Sequence, residues 1–274
     1  MTTDSGDTPR DHRPARTPLL ISTSLLAVSI AAQITYPLVE GTARDRVTIV
    51  VVLASAAAMA VHAAARLGGV RALAVVVATA GIGWSAEIIG TATSFPFGQY
   101  AYAADRIGPS VADVPIVIGL AWTAGGYCMW WVSGLVSTRV PVRIPLATAG
   151  LVGWDLYLDP QMVSAGLWTW AAPDAGFPGI EQIPITNFLG WAGVGAVMFT
   201  ILSMIDRRPA TVSPLTVITP VVWFGWTWLG SALAFLVFLD DPDLPPAVPY
   251  GLVVMGVLGV PAAYSLLRPT EQRA

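Results

Sequence analysis

The sequence contains no lysine, so all fourteen of its basic residues are arginine. That absence excludes a retinal Schiff base and every other mechanism that needs a lysine amine. Cysteine is nearly absent as well. Cys128 stands alone, which excludes an intrachain disulfide along with CxxC and paired-cysteine metal sites; it falls in an apolar run and reads as a small core residue. Charge is scarce: 11% of the residues are charged and 55% are hydrophobic, too little charge to cover a soluble globule of 274 residues. The net charge of −3 comes without a basic patch, so no nucleic acid is expected as a partner.

In place of charge there are long apolar runs. Several reach the ~20 residues a helix needs to span a bilayer, and none alternates strictly as a barrel strand does. The fold class expected is therefore all-α, a polytopic integral membrane helical bundle. Its spans are read at 18–39, 46–65, 70–92, 113–136, 145–161, 185–205, 214–239 and 249–267, about eight transmembrane helices. The first run could pass for a signal peptide, but it is long and more spans follow, so it reads as an uncleaved helix. No long polar insert divides the chain. Residues 18–268 form one transmembrane domain in this reading, after a polar, disordered cytoplasmic tail (1–17) and before a short C-terminal tail (269–274). With the N-terminus inside, the inner segments hold eleven arginines and the outer loops only Arg44, Arg46 and Arg106. Both termini are accordingly placed in the cytoplasm, in a multi-pass protein of the cell (plasma) membrane.

Against this apolar background the segment GWDLYLDPQMVSAGLWTW (153–170) stands out. Asp155 and Asp159 are four residues apart, which on a helix is one face. A charge near the bilayer centre costs roughly 2.5–3.5 kcal/mol, so acids kept there are candidates for function. The competing reading is that they brace a helix end, since Pro160 disfavours helical geometry at Asp159 and is expected to end the helix there. A third acid, Glu87, lies in GIGWSAEIIGTATSFPFGQYAY. Gly83, Glu87 and Gly90 share one helical face, and small residues allow close helix approach, so Glu87 is expected to point into the bundle. By orientation all three acids fall between the midplane and the outer face. No arginine lies at comparable depth. Three carboxylates in one apolar region do not all ionise at low cost, so at least one is expected to hold its proton near neutral pH.

The two longest loops, 93–112 and 162–184, lie on the same face as the acids and carry Phe95, Phe97, Tyr100, Tyr102, Trp168, Trp170 and Phe177. They read as an aromatic lid, although tryptophan and tyrosine gather at membrane interfaces in any membrane protein. The interfacial reading extends to Trp130, Trp131, Trp223, Trp226 and Trp228. Gln33, Tyr36, Thr186 and Asn187 are polar companions able to orient a water. For Asn187 a helix cap is the slightly better reading. His62 lies far from the acids and reads as a structural, interfacial histidine.

The segments AEIIGTATSFPFGQYAY, GWDLYLDPQMVSAGLWTW and IPITNFLGW, in this order, resemble the CruF-type carotenoid hydratases of the carotenoid biosynthesis protein family. The resemblance covers residues 80–192 well and the rest by hydropathy. It implies a hydro-lyase that adds water, without a cofactor or metal, to the terminal 1,2 double bond of an acyclic carotenoid end group (C40 or C50). The substrate would lie within the bilayer, with other carotenoid biosynthesis enzymes as partners. The residues fit such a reaction on their own account: a carboxylic acid protonates the alkene, and an ionised carboxylate stabilises the tertiary cation and activates water. Asp155, the deeper, is the candidate acid. Asp159 is the candidate base or cation stabiliser, and Glu87 an alternate acid or relay. Candidate substrate contacts are Trp154, Phe97, Tyr100, Trp168, Trp170 and Asn187.

Three other classes remain open. A UbiA-like prenyltransferase also uses D-x-x-x-D, to hold magnesium and a diphosphate, but needs a second acidic motif and adjacent basic residues that are absent here. A carotenoid cyclase shares the protonation step and must exclude water. A proton-coupled transporter explains intramembrane acids without catalysis, and internal repeats would favour it; none is evident.

Overall fold

The apolar runs become eight long helices in the computed structural model, which describes residues 16–268 apart from 172–175, 208–209 and 211–212. The expected tails at 1–15 and 269–274, and four of the arginines counted for orientation (Arg10, Arg13, Arg208 and Arg273), lie outside the described residues. The helices are α1 (Arg16–Thr35, extended by a 3-10 turn Tyr36–Leu38), α2 (Gly41–Leu67), α3 (Gly69–Thr93), α4 (Ile116–Val136), α5 (Val140–Ser164), α6 (Ile185–Ile205), α7 (Pro214–Phe238) and α8 (Ala247–Leu267). Seven of them are long and apolar enough to cross a membrane. The exception, α5, carries Arg143 and the two aspartates, and it packs between α4, α6 and α8 so that its polar side chains face protein. The protein is an all-α polytopic membrane bundle.

At its centre is α4, whose apolar window is 83% buried. It packs against α2, α3 and α5, with α7 and α8 behind. Trp122, Tyr127, Trp130 and Trp131 on this helix are almost wholly enclosed. The interfacial reading of Trp130 and Trp131 is therefore corrected, and Trp223 on α7 is likewise buried. Close packing of such large rings depends on facing glycines. A Cβ on Gly83 of α3 would lie 2.1 Å from Trp122 Cγ, so the small residue read as a helix-approach site makes room for an indole.

Pro160 does not end α5, which runs on to Ser164. Proline removes one backbone donor and leaves the Leu156 carbonyl without its usual partner, a loss membrane helices tolerate when neighbours support the turn. Asp159 consequently keeps its helical register with Asp155. His62 is also deeper than expected: it is fully buried, with Nε2 donating to the Thr216 carbonyl (2.9 Å) and Nδ1 accepting from the Tyr127 hydroxyl (2.9 Å). Nearby, Arg66 and Asp206 form a buried ion pair at 2.5 Å.

The two long loops are stitched together. Strand β1 (Tyr100–Tyr102) pairs antiparallel with β4 (Trp168–Trp170), Tyr100 opposite Trp170 and Tyr102 opposite Trp168. Both strands alternate aromatic, small, aromatic, which sets the rings on one face of the ladder. Tight hairpins flank it, β2 (Ser110–Val111) with β3 (Val114–Pro115) and β5 (Gly176–Phe177) with β6 (Ile180–Pro184). Arg106 clasps the assembly, pairing with Asp45 at the start of α2 (2.7 Å) and donating to the Ala165 and Gly166 carbonyls at the end of α5. The result is an ordered lid over one end of the bundle.

Candidate active site

Beneath the lid, one turn of α5 supplies Asp155 and Asp159, which are 0% and 3% exposed. The side chain of Asn187, two residues into α6, reaches between them. Its Nδ2 donates to Asp155 Oδ2 at 3.0 Å and to Asp159 Oδ2. The cap of α6 is Pro184, with no side-chain cap, so Asn187 is a partner of the acids and not the helix cap. Trp168, from the lid, donates its indole N–H to Asp159 Oδ1 at 3.0 Å. The shared amide holds the two carboxyl groups beside each other, and Asp155 Oδ1 is buried without a hydrogen-bond partner.

Glu87 reaches the same region from α3 and is surrounded differently. Oε2 accepts from the Tyr100 hydroxyl (2.5 Å) and the Tyr102 hydroxyl (2.8 Å), and Oε1 from the Trp122 indole N–H (3.1 Å). Three donors converging on one carboxyl group fix its orientation. Burial, with the neighbouring Glu87, pushes the hydroxyls of Tyr100 and Tyr102 well above the usual tyrosine range, so both stay donors. Among the described residues no arginine pairs with Glu87, Asp155 or Asp159.

These groups face a cavity of about 520 Å³. Glu87, Asp159 and Asn187 line it, with Tyr100, Tyr102, Trp154, Trp168 and Trp170; Asp155 stands one layer back, behind Asp159. Of the expected polar companions, Gln33 and Tyr36 line the cavity, and Tyr36 meets Gln161 there. Thr186 lies instead on a separate groove between α3 and α6. Phe97 is 1% exposed and packs against Gly90, Gly190 and Tyr100, so it supports the lid from beneath and does not line the cavity. Trp122 and Trp191 complete the walls, their rings stacked at 3.9 Å with Trp154 edge-on to Trp191. Sequence reasoning missed both. A tryptophan in the middle of an apolar helix looks the same whether it packs or donates, and the glycine one helix away was the available signal.

The model of the carotenoid biosynthesis proteins matches residues 47–258, most of the chain and all three acids. The chain belongs to this carotenoid biosynthesis family. One similar member is the bisanhydrobacterioruberin hydratase of Haloarcula japonica, 32% identical over 118 residues, 40% of this chain. That alignment spans 38% of the relative's length. No solved structure matches the chain.

Proposed function

We propose that the protein adds water to the terminal 1,2 double bond of an acyclic carotenoid end group, C40 or C50, without a cofactor, in the plasma membrane. The observation that carries this reading is one cavity that combines buried carboxyl groups with walls of indole and phenol. Such a space suits a hydrocarbon and offers it a proton. The family supports the substrate class, and a relative named as a hydratase supports the reaction.

In this reading the end group lies against Asp159 and Glu87, the two carboxyls that line the cavity. Asp159, sharing a proton with Asp155, protonates C2. The electrons of the double bond form the new C–H bond and leave a tertiary cation at C1. Asp155, the candidate acid by depth, serves here as the proton-sharing partner behind the donor. The Glu87 carboxylate and the indole faces stabilise the cation, a cation–π contact contributing about 0.5–2 kcal/mol. Water then bonds through oxygen to C1 and gives its surplus proton to a carboxylate of the cluster. Alkene and water become tertiary alcohol, and the proton count is restored. A cyclase would need water kept out, whereas Gln33, Tyr36, Gln161 and Asn187 line this cavity.

The test is pigment analysis of a host that accumulates an acyclic polyene, with and without the protein. Hydroxylated polyene dependent on the protein is the expected result, and its loss in Asp159→Asn and Asp155→Asn at normal expression should follow. Unchanged pigment with the wild-type protein would refute the reading.

A further inference from the structure

The cavity is short compared with the molecule it is proposed to hold. It is lined from Trp154 to Met162 on α5 and from Trp223 to Phe238 on α7, about 12 Å and about 22 Å at 1.5 Å per residue. An acyclic polyene is a rod of about the hydrocarbon thickness of a bilayer, ~30 Å. Part of it has to lie outside the cavity.

Where the rod leaves is fixed by the open wall. Towards α4, α5 and the lid the lining is buried, as Trp122, Tyr157 and Trp168 show. Between α1 and α7 the lining residues are themselves exposed: Ile34 and Leu38 on one side are 54% and 77% exposed, Leu233 and Phe238 on the other 53% and 57%. All four side chains are apolar, so this rim suits hydrocarbon and not water or a charged solute. The opening is also bounded. Away from the lid, α1 and α7 are tied together by Ser22 and Thr219, whose hydroxyls are 2.9 Å apart. On the lid side α7 leaves regular helical geometry in two π-helical turns, Trp226–Gly230 and Ala234–Phe238, and both contribute to the lining. Turns of this kind are frequent at functional sites.

We propose that the gap between α1 and α7 is a lateral portal through which one end of the polyene enters from the bilayer while the rest of the rod stays outside among the lipids. This rests on the hydration reading and adds the route and the bound pose. It has a consequence for turnover. One end is inside at a time, so a polyene with two reactive ends is released after the first hydration and returns reversed for the second.

The portal is tested by narrowing it with Leu233→Trp and Ile34→Trp. Val253→Trp is the control, since Val253 is 69% exposed on α8 and lies outside the cavity lining. Each protein is purified from membranes of a host that accumulates an acyclic C40 polyene, and bound pigment per protein is read from its visible absorbance. Turnover of that polyene is compared with turnover of a ten-carbon isoprenoid bearing the same end group. The portal variants should retain less pigment, and their long-to-short turnover ratio should fall by roughly tenfold through overpacking of the gap; Val253→Trp should change neither. Wild-type pigment retention in both portal variants would overturn the portal, as would a wild-type protein that retains no polyene. Wild-type protein that holds pigment lost by the portal variants, yet forms no alcohol from either substrate, would support the portal and refute hydration.

Discussion

Replacing Asn187 with leucine removes one amide and little volume, yet it disconnects both aspartates at once. Asn187 is 2% exposed, and its Nδ2 donates to Asp155 and Asp159 together. After the change Asp159 keeps the Trp168 bond at 3.0 Å, but Asp155, whose Oδ1 already has no donor, is left without a side-chain donor. Hydrogen bonds to charged groups are worth about 1.5–3 kcal/mol each, and two bonds from one amide are not additive, so a loss of about 2–4 kcal/mol is expected. At 1.36 kcal/mol per decade this corresponds to roughly 30- to 900-fold in turnover. Trp168→Phe removes a single bond to Asp159 and should cost about tenfold. The assay is hydrated carotenoid formed per unit of protein in isolated membranes, with expression checked by immunoblot. Turnover of Asn187→Leu within threefold of wild type, at normal expression, would refute the idea that the amide holds a working acid pair.

Gly83→Ala places a methyl group 2.1 Å from Trp122 Cγ, and the overpacking should destabilise the protein by about 1–3 kcal/mol, seen as a lower melting temperature in detergent. Because Ala101 lies opposite Thr169 in the lid ladder, an Ala101→Cys, Thr169→Cys pair should cross-link under oxidation. Turnover should survive the cross-link, since entry is through the membrane-facing portal and not through the lid. Reporter fusions after Gly108 and after Gly176 should both report the outer side, as the arginine distribution requires; a cytoplasmic signal from either would reverse the orientation.

Much of this architecture was legible because membrane helices are written in unbroken apolar runs, and the eight spans match eight helices to within a few residues at most ends. The acids were legible for the same reason, as rare charges in an apolar chain. Their surroundings were not. Pro160 reads as a helix stop, and only the packing of α4, α6 and α8 around α5 lets the helix continue. YAY and WTW have the two-residue period of strands, but they are three residues long and 68 positions apart, too weak a pattern to announce a pairing. Asn187 sits where a cap would be placed, and its role depends on α6 starting at Ile185. Depth along a straight helix set Asp155 below Asp159 but said nothing about which one faces open space. That is decided by the lid and by the lining of α7.

Protonation of an alkene by the aspartate pair, followed by capture of water, is tested most directly by following the atoms. Turnover in ¹⁸O-labelled water should place one heavy oxygen on the carotenoid for each hydrated end, and turnover in deuterated water one deuterium on the adjacent carbon, with both signals lost in Asp159→Asn. A ring-closed product carrying deuterium without heavy oxygen, or product oxygen drawn from O₂, would contradict it.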